Sequence, residues 1–178
     1  MKIFFMEEMM EKKVRTKIVM ATVIAVALVV AATGCSLLRP SELLVGTWLD
    51  VYDGKRVITE TTVSFYFSST DTEPTAEFDI VDFARNSWNG GDIGEGEHGY
   101  MVLECTSPPS WNTDQAGTYT VFRWQNLATV DGEITIEFAE GSPPTWPTGY
   151  GATAAEAAES ATEANGWFGF GYTSGTKQ

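Results

Sequence analysis

The chain has 178 residues and a formal net charge of -13, with 24 Asp and Glu against 11 Lys and Arg. With no basic stripe to offset it, that charge repels phosphate backbones and sets nucleic acid aside as a partner. Two cysteines and one histidine leave no material for a disulfide framework or a multi-histidine metal site.

The first element is apolar. Ile18 to Thr33 reads IVMATVIAVALVVAAT, without charge, and Thr22 and Thr33 are its polar residues. It falls short of the ~20 apolar residues of a spanning helix. Lys12, Lys13, Arg15 and Lys17 precede it, and Ala31, Ala32, Thr33 and Gly34 end it. A basic region, an apolar region and then small residues are the parts of a secretory signal peptide.

Gly34-Cys35 then resembles the lipobox of bacterial lipoproteins, with Ala32 where that family usually has Leu. The resemblance implies cleavage between Gly34 and Cys35 and a diacylglycerol on the Cys35 thiol. It also implies acylation of the new amino group by a fatty acid such as palmitate. Several acyl chains together hold a protein on a bilayer, whereas one binds marginally. The expected location is the bacterial cell envelope, lipid-anchored to a membrane, the outer membrane or cell surface first. The alternative is a single-pass anchor in which Cys35 is incidental. The basic region is long and holds Glu7, Glu8 and Glu11, and a start at Met9 or Met10 instead of Met1 would shorten it.

The expected organisation is a signal peptide over 1–34, a lipidated N-terminus and tether over 35–44, and one β-domain over 45–178. The segment before Cys35 has five Lys and Arg and three Glu, so the remainder carries -15. A tether of this length reaches roughly 30 Å at about 3.3 Å per residue, which keeps the domain near the lipid surface. With Cys35 lipidated, Cys105 has no partner, and its place in YMVLEC reads as a small buried residue.

From Gly46 onward the signals are those of strands. TWLDVY ends at Asp53-Gly54, a hairpin dipeptide. RVITETTVSFYF is rich in β-branched and aromatic residues, and a bend in it would make two strands. AEFDIVDFA alternates, Phe78, Ile80 and Asp82 against Asp79, Val81 and Phe83. A glycine-rich acidic loop over 86–99 leads to YMVLECT. TYTVFRW sets Tyr119, Val121 and Arg123 against Thr120, Phe122 and Trp124. EITIEF sets Ile134, Ile136 and Phe138 against Glu133, Thr135 and Glu137. Thr153 and Glu156 form a capping-box pattern, and Asn165-Gly166 a stop, for one surface helix near the C-terminus. GWFGFGYT reads as the last strand. Seven or eight strands in sequence predict an antiparallel up-and-down meander that closes into a barrel, with a β-sandwich as the alternative.

Gly46-Thr47-Trp48 at the first strand resembles the Gly-x-Trp of lipocalins and related calycin barrels. In that family the Trp plugs the closed end of an eight-stranded barrel, and a basic residue on the final strand often caps it. Here the final segment offers only Lys177, at what reads as a frayed end, a departure that counts against a close relationship. The lipobox, GTW, SPPSW…GTYTVFRWQNL and NGWFGF together resemble small lipoproteins of spirochaetes and similar bacteria. That group has no established activity, so the likeness implies fold and location.

Ser107-Pro108-Pro109-Ser110-Trp111 recurs as Ser142-Pro143-Pro144-Thr145-Trp146. Each copy follows a strand, the fourth and sixth of seven, so both loops and Trp48 are expected at one end. Diproline fixes the backbone at little entropic cost. Trp48, Trp111 and Trp146 are therefore candidates for a lid over the core or an aromatic platform for sugar or lipid. Asp92, Glu95, Glu97 and His98 in the acidic loop do not have EF-hand spacing, so a solvated hairpin is expected and no metal. No nucleophile or zinc motif appears, so neither catalysis nor a cofactor is expected. The function expected is a membrane-anchored, non-enzymatic binding module for a small apolar ligand, a glycan or an envelope protein. The alternative is a structural envelope lipoprotein whose core is filled by its 12% aromatics.

Overall fold

Alternation of apolar and polar residues becomes eight strands: β1 Gly46–Asp50, β2 Lys55–Ile58, β3 Thr62–Tyr66, β4 Ala76–Arg85, β5 Glu97–Ser107, β6 Tyr119–Val130, β7 Glu133–Glu140 and β8 Thr173–Lys177. A short helix, α1, spans Ala154–Ser160 between β7 and β8. The computed structural model describes Pro40 and residues 42–85, 96–145 and 148–178, within the compact unit Leu38–Gln178. Gly34, Cys35, Asp92, Glu95 and Trp146 lie outside the described residues.

Every strand is antiparallel to both neighbours, and β8 pairs back onto β1. The fold is therefore a closed up-and-down barrel, and the sandwich alternative falls. RVITETTVSFYF divides into β2 and β3. Thr59 makes the turn, its hydroxyl accepting from the Thr62 amide at 2.9 Å. That division moves the diproline loops to the ends of the fifth and seventh strands. Both loops still share one barrel end, because odd strands run the same way. The start of β1, with Trp48, now lies at the opposite end. This corrects the expected grouping of Trp48 with the two loops.

The interior alternation of β6 and β7 is as the sequence predicts: Phe122, Trp124, Ile136 and Phe138 are buried in the barrel core. β4 differs. A register shift between Ile80 and Asp82 breaks the two-residue period, so Phe83 turns inward and Asp82 outward. One inserted residue exchanges the two faces of a strand.

GWFGFGYT is mostly not strand. Gly166 and Gly171 take positive φ of 75° and 70°, so the chain turns there, and β8 begins at Thr173. Trp167 and Phe168 are buried on the outside of the barrel with Val102, Val121 and Ala139. α1 packs there through Ala157. Its start is as predicted: the Thr153 hydroxyl accepts from the Glu156 amide at 3.2 Å. It ends at Ser160, well before Gly166. The buried Arg123 reaches out from β6 to donate to the Ala161 carbonyl at 2.8 Å, and its guanidinium lies 4.0 Å from the Phe168 ring. That contact anchors the segment to the sheet.

Candidate functional site: the open mouth of the barrel

The two ends of the barrel differ. At the β1 start, Trp48 is 0% exposed and donates from Nε1 to the Leu44 carbonyl at 2.8 Å. Trp48 pairs in register with Lys177 of β8. The Lys177 ammonium sits 5.8 Å from the Trp48 ring and donates to the Glu42 and Leu43 carbonyls, both at 2.9 Å. Lys177 is thus part of a paired strand, not a frayed tail. Leu44, Ile58, Phe83, Met101, Trp124 and Leu127 fill the space behind Trp48, with Phe83 and Trp124 stacked at 5.1 Å. This end is closed.

The other end is a cavity of about 380 Å³. Phe65, Ala76, Phe78, Leu103 and Phe122 line its apolar part, and Tyr52, Phe67 and Trp111 stand at its rim. Trp111 is 52% exposed and stacks on Phe67 with centroids 4.9 Å apart. Exposed Val51, Tyr52, Phe67, Trp111 and Phe170 all lie at this end, on turns that follow odd strands or precede even ones. Of the three candidate tryptophans, the structure thus places Trp48 at the closed end and Trp111 at the mouth.

The cavity also holds charge. Alternation along β1, β2 and β7 turns Asp50, Arg56 and Glu140 inward beside Trp48, Ile58 and Phe138. Arg56 lies between the two carboxylates, with Nη1 2.6 Å from Asp50 and Nη2 2.7 Å from Glu140. Its guanidinium also covers the Phe138 ring at 4.2 Å. Burial alone would raise the Asp50 pKa. The Arg56 hydrogen bond, the Tyr52 and Gly54 amides and the Arg56 charge together outweigh it and hold Asp50 below the usual carboxylate value. Sequence reading missed this trio. Extending the EITIEF alternation two residues would have placed Glu140 on the inner face, but its pairing with Arg56 spans 84 positions.

Residues 96–99 of the acidic loop lie at the closed end. Within its described part, Glu97 faces Arg85 at 3.4 Å. His98 Nδ1 is buried with no hydrogen-bond partner among the described residues. Among the described residues no three His, Cys, Asp or Glu gather to hold a metal, and no helix is long and apolar enough to cross a membrane. Cys105 is buried in the core, and burial pushes its thiol pKa up to about 11.

No protein-family model matches this chain, and no curated protein or solved structure matches it significantly. The site therefore stands on its own geometry.

Proposed function

We propose that this protein is a lipid-anchored, non-enzymatic binding module whose barrel mouth takes a small, largely apolar ligand. The observation that carries the ligand is the cavity of about 380 Å³. It falls within the roughly 300–1,000 Å³ of ligand pockets, mostly apolar with a few placed polar groups. A core filled by its own aromatics would leave no such space. The anchor is supported by the sequence: the basic run, the apolar run and Gly34-Cys35.

The two halves of the reading fit together. The chain enters β1 at the closed end, so an acyl group on Cys35 would draw that end toward the bilayer. Residues 35–45 extend at most roughly 36 Å. The mouth, at the barrel end opposite the tether's attachment, stays free for a solute.

Mass spectrometry of native protein after mild extraction tests both halves. The expected result is a chain beginning at an acylated Cys35, with a co-purifying small molecule lost on unfolding. An uncleaved chain with unmodified Cys35 would sink the anchor. A mouth that neither retains nor takes up any apolar compound would sink the ligand and leave the structural alternative.

A further inference from the structure

We propose that the ligand of the barrel mouth is an organic cation: a compact apolar body bearing one protonated amine or quaternary ammonium head. This rests on the mouth being a ligand site and names the class of its ligand.

Charge is the first argument. The residues lining the cavity include three charged side chains, Asp50, Arg56 and Glu140, so two carboxylates face one guanidinium. Asp50 is saturated: Oδ1 accepts from the Tyr52 and Gly54 amides, and Oδ2 accepts from Arg56. Glu140 gives Oε1 to Arg56. Its Oε2 has no hydrogen bond among the described residues. One negative charge is left uncompensated at the half-exposed edge of the cavity, where it favours a cation. An anionic head would meet that same surplus and be repelled.

Gln115 is the second. It lines the cavity and is 7% exposed, yet its side-chain amide makes no hydrogen bond among the described residues. Its amide atoms still touch solvent, so the oxygen is open to accept a hydrogen bond from an ammonium N–H in the cavity.

The rim is the third. The rings of Tyr52, Phe67 and Trp111 present π faces, which attract cations, most of all when desolvated. This end of the barrel already uses that contact, with Arg56 over Phe138 and Lys55 over Tyr66. A metal ion is a poor alternative, because Arg56 fills the space between the two carboxylates. The chain's -13 charge also concentrates cations around it and speeds their arrival.

The test uses three probes with one naphthyl body: 2-(1-naphthyl)ethylamine, 2-(1-naphthyl)ethanol and 1-naphthylacetate. Each is titrated calorimetrically into the full-length, membrane-extracted protein, with protein-free detergent as the blank. The amine is expected to bind at least about tenfold more tightly than the alcohol, the scale of one charge-assisted hydrogen bond, and the acetate weakest. Glu140→Gln should bring the amine down toward the alcohol, with a much smaller change in the alcohol. Glu133→Gln removes the same charge at the closed end and should change none of the three. Equal affinity of amine and alcohol, or tightest binding of the acetate, in the unmutated protein would overturn the cation while leaving the mouth as a ligand site. A Glu133→Gln effect as large as that of Glu140→Gln would overturn a local counter-ion. No binding of any probe would remove the ligand site and the cation with it.

Discussion

Trp48 and Trp111 are the two described tryptophans that the sequence singles out together, and the structure assigns them opposite energetic roles. Replacing Trp48 by Ala deletes a fully buried ring behind which the closed end packs. Truncation of a buried Trp costs about 4 kcal/mol in transfer and cavity energy. Loss of the 2.8 Å bond from Nε1 to the Leu44 carbonyl adds about 1 kcal/mol. The expected loss of about 5 kcal/mol is a large share of the 5–15 kcal/mol that stabilises a typical domain. Trp111→Ala loses a half-exposed ring and one stacked partner, Phe67, about 1 kcal/mol. Equilibrium urea unfolding followed by far-ultraviolet circular dichroism separates the two. At a slope of about 2 kcal/mol per molar urea, the Trp48 variant should lose about 2.5 M of midpoint and the Trp111 variant about 0.5 M. Trp48→Phe should fall between them, since it keeps an aromatic ring but loses the donor. Similar shifts for Trp48→Ala and Trp111→Ala would refute a barrel closed at one end and open at the other.

Three further outcomes are expected. Cys105 should resist alkylation by iodoacetamide at pH 8 in the folded protein and react on unfolding, because a thiol held near pKa 11 carries almost no thiolate there; mass spectrometry of the labelled chain reads this. Asp50 has a lowered folded pKa, so its contribution to stability is complete above the ordinary carboxylate value near 4 and disappears as pH falls through the lower folded value. Asp50→Asn should therefore cost about 2 kcal/mol at pH 7 and flatten the acid limb of a pH series of thermal melts. Gly99→Ala would drive its Cβ into the Ala84 carbonyl oxygen and to 2.5 Å from the Trp124 ring. It should lower stability by about 2 kcal/mol in a thermal melt, although alanine is otherwise an undemanding substitution.

The legibility of this chain follows the range of each interaction. Inward and outward faces of β6 and β7 were readable because alternation with a period of two is a property of each strand alone. The helix start at Thr153 was readable because its cap lies within four residues. The bulge in β4 was not, since apolar Phe83 and polar Asp82 are compatible with either register until β5 is paired against them. GWFGFG looked like strand because aromatics favour strands. Trp167 and Phe168 instead cover the outer face of β5, β6 and β7, and glycines at positive φ turn the chain.

By itself, then, the sequence determined the class of fold, the order of its strands, the acidic character of the domain and the residues on which an acyl anchor would depend. Tertiary structure alone decided that the sheet closes, that Trp48 and Trp111 lie at opposite ends, and that Asp50, Arg56 and Glu140 meet. Local patterns specify which way each side chain points on its own strand. Which side chains share a cavity depends on the number of strands and on register across a seam that joins the first to the last. Splitting one apparent strand into β2 and β3 reversed the direction of β1 relative to the diproline strands. That reversal separated the plug from the mouth.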